Sequence, residues 1–150
     1  MNLQWAGQER ISATKETVWS FITDPAKIAS CLPDVKETTV IDAHTFNATV
    51  GVAVGPVRGK FTFKIALEPN AGADHMDMKI SGGGLGSVVD LIAGADLRAD
   101  GDATTILDWK GTATLRGPIA TIGGRAVDTQ AQRVIATTFE NVKKKLSGSG

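Results

Sequence analysis

Three features of this chain predict an α+β fold in which a curved antiparallel sheet of about seven strands wraps around one long C-terminal helix. From Val35 to Leu115 the hydrophobic period stays close to two almost throughout, which is the pattern of a meander and not of alternating strand–helix units. From Gly117 to Leu146 the period becomes helical and no proline after Pro118 interrupts it. Only two short helical stretches, both after the first strand, compete with that helix for the apolar face of the sheet. A strongly curved sheet has one concave apolar face, and the C-terminal helix is the only element long enough to cover it.

Residues 2 to 11 alternate, with Leu3, Trp5, Gly7, Glu9 and Ile11 on one side and Asn2, Gln4, Gln8 and Arg10 on the other, as a one-sided strand does. Thr14 is placed to cap a helix carrying Glu16 in its first turn and Val18, Trp19, Phe21 and Ile22 on its apolar side, until Asp24-Pro25 interrupts it. A second short helix over about 25 to 31 ends before Pro33. The following strands present Phe46, Ala48, Val50, Val52 and Val54, then Phe61, Phe63, Ile65 and Leu67, then Met76, Met78 and Ile80. Two more present Val89, Leu91, Ala93, Ala95 and Leu97, and Leu107, Trp109, Ala113 and Leu115. Turn residues separate them at 42–44, 55–56, 69–72, 82–84 and 100–102.

On the long helix, Arg125, Asp128, Gln132, Arg133, Glu140, Lys143 and Lys144 gather on one side. The other side carries Ala120, Gly123, Gly124, Val127, Ala131, Val134, Thr138 and Val142. That inner stripe is apolar but small, so the helix either lies very close to the sheet or leaves a space above it. One domain spans 1–146, and Ser-Gly-Ser-Gly at 147–150 reads as a flexible tail.

With 150 residues, 42% of them hydrophobic, the chain supports one core. Sixteen basic and sixteen acidic side chains cancel, and no basic stripe is interleaved with aromatics, so nucleic acid is excluded as a partner. The N-terminus shows no signal-peptide pattern, no run reaches the roughly 18 apolar residues of a membrane span, and Cys31 has no second cysteine to pair with. These features predict a cytoplasmic protein.

Candidate catalytic groups are sparse. His44 and His75 fall in predicted turns, where a surface histidine is the ordinary occupant, and with a lone cysteine they do not make a zinc site. Cys31 beside Leu32 reads as a small buried thiol. Gly82-Gly83-Gly84-Leu85-Gly86 lacks the following helix and the Gly-Lys-Ser/Thr ending of a phosphate loop and reads as a hairpin turn. Asp74, Asp77, Asp96, Asp100 and Asp102 read as a solvated face. Among the inward positions Glu9 is the main polar exception. The concave face itself sets Phe61, Phe63, Met76, Met78 and Trp109 against the small helical stripe. Large-against-small core packing and a long apolar cavity both account for that pattern.

Several blocks resemble one family: Gly7 to Ile11, Val18-Trp19, Asp24-Pro25, Cys31-Leu32-Pro33, residues 54–61 (Val-Gly-Pro-Val-Arg-Gly-Lys-Phe), Gly117, Ile122-Gly123-Gly124-Arg125 and Val127-Asp128. Together they are similar to the G-subunit family of carbon monoxide dehydrogenase, within the START-like (SRPBCC) helix-grip superfamily, over essentially all of residues 1 to 146. One departure is Pro33-Asp34, where the family typically has proline followed by glycine. The resemblance implies a non-catalytic accessory protein of a molybdenum-containing carbon monoxide dehydrogenase or related hydroxylase, with no covalently bound cofactor. It further implies an apolar cavity for a respiratory quinone or other lipid-like ligand, and peripheral contact with the inner face of the cell membrane. On this reading Phe61, Phe63, Ile65, Met76, Met78, Leu91 and Trp109 form one wall of the cavity, and Ile122, Gly123, Val127, Ala131 and Val134 the other. Membrane contact falls to the basic cluster Lys143-Lys144-Lys145 or to the pocket rim. Two rivals remain on the same fold: an enzyme of the polyketide cyclase or hydrolase kind, which needs titratable groups in the cavity, and an assembly factor with a filled core.

Overall fold

Alternation of apolar and polar side chains leaves each strand one face to bury, and the chain does so with a single sheet. The computed structural model describes residues 1–148. Strand β1 (Asn2–Ile11) is followed by α1 (Lys15–Ile22) and α2 (Pro25–Ala29). Six strands come next: β2 (Val35–Val40), β3 (Thr45–Val54), β4 (Val57–Asn70), β5 (His75–Gly84), β6 (Ser87–Ala99) and β7 (Thr105–Arg116). A 3-10 turn over Pro118–Thr121 then leads into α3 (Gly124–Gly148). All pairings are antiparallel and the order across the sheet is β1-β7-β6-β5-β4-β3-β2. The predicted architecture, a seven-stranded curved sheet gripping a C-terminal helix with two short helices after the first strand, is the observed one.

The short helices start where their caps put them. The Thr14 hydroxyl accepts from the Thr17 amide at 3.2 Å, and the Asp24 carboxylate accepts from the Ala26 and Lys27 amides. The second helix stops at Ala29, two residues short of its predicted end. Asp34 takes a left-handed φ of 59°, so the backbone keeps there a conformation that suits glycine, while the aspartate carboxylate meets Arg133 at 2.6 Å.

Other expectations need correcting. Residues 82–84 are not a turn: they complete β5, and Leu85-Gly86 makes the turn. Glycine is required along this stretch because a Cβ on Gly82 or Gly83 would overlap the carbonyl oxygen of Thr62 or Ser87. Nor is Gly117 to Leu146 one helix. The 3-10 turn from Pro118 is separated from α3 by Ile122 and by Gly123, whose φ of 111° no helix accommodates. The long helix therefore begins at Gly124 and runs past the expected domain end through Ser147 and Gly148; Ser149 and Gly150 of the expected tail lie outside the described residues.

Two buried clusters hold the fold. One joins Ile11, Val18, Phe21, Ile22 and Cys31 to Phe46, Ile65, Leu67, Met76, Leu97, Leu107 and Val142, where α1 and α2 close one end of the concave face. The second joins Val54, Val57, Phe61, Ala113, Leu115, Ile119 and Val127 at the other end. Phe63 and Val50 pack against both and lie partly exposed between them.

Candidate functional site

The region between the two clusters is where the helix crosses the sheet. Cross-strand register lines up Leu3, Ala113, Leu91, Ile80 and Ile65 in one inward row, and Trp5, Gly111, Ala93, Met78 and Leu67 in the next. A third runs from Gly7 through Trp109 and Ala95 to Met76. The middle of this floor is thin, because Gly111, Ala93 and Ala95 put little volume there. Gly7 serves a different end: a Cβ on it would lie 2.7 Å from the Trp109 ring, so its absence lets the indole lie flat across β1.

Helix α3 packs on the two ends of this floor through Val127, Phe139 and Val142. Its main backbone approaches are to β1 on one flank and β3 on the other. On the β1 flank the Trp5 indole donates to Asp128 Oδ1 at 2.6 Å, and Gln132 donates to the other oxygen at 2.7 Å. Lys143 meets Glu9 Oε1 at 2.8 Å, and the Trp109 indole donates to Glu9 Oε2 at 3.3 Å. Trp109 also stacks on Phe139 with ring centroids 5.6 Å apart. On the opposite flank Arg133 pairs with Asp34, Asn141 donates to the Cys31 carbonyl at 2.9 Å, and Lys145 reaches the Ser30 hydroxyl at 2.6 Å.

The residues expected to line a cavity distribute over this frame. Phe61, Ile65, Met76 and Val127 are buried in the two end clusters, whereas Phe63, Met78, Leu91, Trp109, Ile122, Ala131 and Val134 are partly exposed. Ala131 and Val134 belong to neither cluster and sit at the middle of α3. Gly123 is exposed and a side chain built on it would touch nothing within 4 Å, so it is not part of the helix's inner stripe. Asp128, assigned by periodicity to the outer side, points to the sheet instead. Counting 117–123 as helix shifts the phase; the true inner arc runs through Val127, Asp128, Ile135, Phe139, Val142 and Leu146. Trp5, Asp128, Phe139 and Asn141 are not legible as a clamp in the sequence, although Trp5 on an inward face signals that its N–H needs a partner.

Two open clefts flank α3. One of about 500 Å³ lies between the middle of α3 (Gln130, Arg133), Asp34 and Lys36, and the β3 segment Gly51 to Ala53. The other, about 550 Å³, lies among α1, α2 and the C-terminal turns of α3. Neither is lined by the cavity residues read from the sequence.

The other chemical candidates resolve simply. Cys31 is fully buried, and burial pushes its thiol pKa up, away from nucleophilic character. Among the described residues no group of three His, Cys, Asp or Glu side chains is arranged to hold a metal ion, and no helix is long and apolar enough to cross a membrane. His44 is in a turn as expected, but His75 opens β5. Its two ring nitrogens lie 2.8 Å from Asp96 and 2.8 Å from Asp77. A neutral imidazole can donate to only one of them, so hydrogen bonds to Asp77 and then Asp96 raise its pKa above 6.5.

Compared with known proteins, residues 7–147 match the family model of CoxG, the G subunit of carbon monoxide dehydrogenase. No curated protein matches the chain. A conserved protein from Geobacillus kaustophilus superposes with a TM-score of 0.88 at 25% identity, covering 98% of this chain and 97% of that one. A START superfamily protein from Mycobacterium smegmatis gives 0.76 at 12% identity, covering 98% and 99%. The Zhui aromatase/cyclase from Streptomyces sp. R1128 gives 0.70 at 11% identity, covering 98% and 94%, a likeness of fold alone.

The geometry sets two expected outcomes. Asp128→Ala removes the acceptor of a partly buried, charge-assisted hydrogen bond and should lower unfolding free energy by about 1–3 kcal/mol in urea titrations, with Asp128→Asn costing less. For His75, the raised native pKa means its stabilising contribution is complete below pH 6.5 and fades as pH rises through the native value. NMR titration should therefore place its pKa above 6.5, Asp96→Asn should lower it, and stability should decline as pH rises through that range in wild type but not in His75→Gln.

Proposed function

Because the chain belongs to the CoxG family of carbon monoxide dehydrogenase, we infer that it is a non-catalytic accessory protein of a molybdenum-containing carbon monoxide dehydrogenase or related hydroxylase. In this reading it carries a hydrophobic ligand, a respiratory quinone, beneath α3 and links the enzyme to the membrane. The observation that carries the reading is the partial exposure of the apolar middle of the concave face. Phe63, Met78, Ile80, Leu91 and Ala93 point inward yet remain partly exposed under a helix whose central positions are Ala131, Val134 and Ile135. Leaving that apolar surface wet costs about 25 cal/mol per Å² relative to covering it, which favours an occupant that is flat and apolar. Methionine at 78 suits a wall that adapts to such a ligand.

The polar groups at the site support carriage over catalysis. Glu9 is engaged by Lys143 and Trp109, and Asp128 by Trp5 and Gln132, so the two inward carboxylates hold the helix in place. The cleft between β3 and α3, bridged by the exposed Arg133–Asp34 pair, is the proposed opening to the concave face.

Native mass spectrometry and solvent extraction of the purified protein should reveal a bound quinone that a short-chain analogue displaces. Ala131→Phe, placed at the middle of α3 outside both buried clusters, should cut its retention at least tenfold while the thermal melt stays cooperative. No retained or competable quinone, together with unchanged electron transfer from the partner enzyme to quinone on adding the protein, would overturn the reading.

A further inference from the structure

We propose that the end of the domain formed by the β3–β4 turn, the β5–β6 turn and the β7–α3 connection docks onto an anionic lipid bilayer. This rests on the membrane half of the function inferred above and specifies the face that makes contact. The three connections meet in space: a side chain on Gly55 would touch Ile122 at 3.4 Å, one on Gly86 would touch Pro118 at 3.7 Å, and Leu85 overlies Gly59. Over residues 50–63, 80–89 and 113–127, which build this end, there is no aspartate or glutamate, and Arg58, Lys60, Arg116 and Arg125 are all exposed. Arg116 is the one of the four that meets an acid, Asp90 at 3.4 Å, among the described residues.

The opposite end carries the reverse sign. Asp42, Asp74, Asp100 and Asp102 lie in its three strand connections, and among the described residues only Asp74 and Asp100 find basic partners, Lys15 and Arg10. A chain of zero net charge is thus polarised along its strands, and such a molecule approaches an anionic surface with its basic end first. The alternative contact, Lys143 to Lys145, is already in use: its members bind Glu9, Glu140 and Ser30.

Apolar tips separate a bilayer from an acidic protein face as the occupant. Leu85 sits at the point of the β5–β6 turn with φ 54° and 54% of its surface exposed. Leucine is disfavoured in that left-handed conformation, and asparagine or glycine would serve the turn better. Pro56 and Pro118 extend the same exposed surface, and a basic rim around apolar tips is the composition that binds the headgroup–acyl boundary of anionic membranes. Docked this way, Ile122 faces the membrane, and the cleft proposed as the opening, whose lining includes Ala53 and Gly59 near this end, lies beside it, which shortens the path of a lipid-like ligand to the concave face.

The test is co-sedimentation with phosphatidylcholine vesicles with and without about 30% phosphatidylglycerol, at low and high salt. Wild type should bind the anionic vesicles and release them at high salt. Leu85→Asn, which fits the turn, and the double variant Arg58→Glu/Lys60→Glu should each weaken binding about tenfold or more. Ile41→Asn, at the acidic end, should bind as wild type, and all variants should retain quinone. Unchanged binding by the loop variants, or equal binding to neutral vesicles, would overturn the proposal. So would loss of binding to the partner enzyme in place of vesicles, which would assign the surface to an acidic protein. Failure of every form to bind vesicles while quinone is retained would overturn the docking and leave the carrier function standing.

Discussion

The suspension of α3 by its two flanks is the constraint on which the rest of this structure depends. On one side the Trp5–Asp128 bond and the Lys143–Glu9–Trp109 group tie it to β1 and β7; on the other, Arg133, Asn141 and Lys145 tie it to the segment after α2. A helix fixed along its edges need not be pressed down in the middle. The helix places Val127 toward one cluster and Phe139 and Val142 toward the other, with Ala131 and Ile135 between them. Beneath them the floor is thinned by Gly111, Ala93 and Ala95. The partly exposed carboxylates of Glu9 and Asp128 are tolerable there because each is met by donors from two residues.

Much of this is legible in the chain. Strand alternation reports local geometry directly, and the inward residues of β1, β3, β4, β5, β6 and β7 fall where their period puts them. Caps at Thr14 and Asp24 are equally local. What sequence reading loses is phase and distance. Continuing the helical period through a 3-10 turn and a left-handed Gly123 rotates the inferred inner face away from Asp128 and Phe139. The glycine run at 82–84 resembles a turn because its need is non-local: the colliding oxygens belong to Thr62 and Ser87. Similarly, Asp34 stands out as a departure from the family pattern, but its ion pair with Arg133, 99 positions away, becomes visible only once the helix is placed.

Charge illustrates the same limit. Equal totals of acid and base argue against a global field, yet an antiparallel meander delivers alternate connections to opposite ends of the sheet. Acids in one set of loops and bases in the other therefore add to a polarity that no sum over the chain reveals. The polarity, the thin floor and the flank-held helix are the observations behind the proposed arrangement, an apolar space under α3 whose basic end approaches an anionic surface.

The existence of an occupiable space between Met78, Ile80, Leu91 and Ala93 and the middle of α3 is the central claim. Methyl-detected NMR during titration with a short-chain quinone tests it most directly. Saturable shifts should appear at Met78, Ile80, Leu91, Ala93, Ala131 and Val134, and the methyls of Ile92, exposed on the opposite face of β6, should stay unmoved. Shifts confined to Ile92 and other outer-face groups, or no saturable shift at all, would contradict the account.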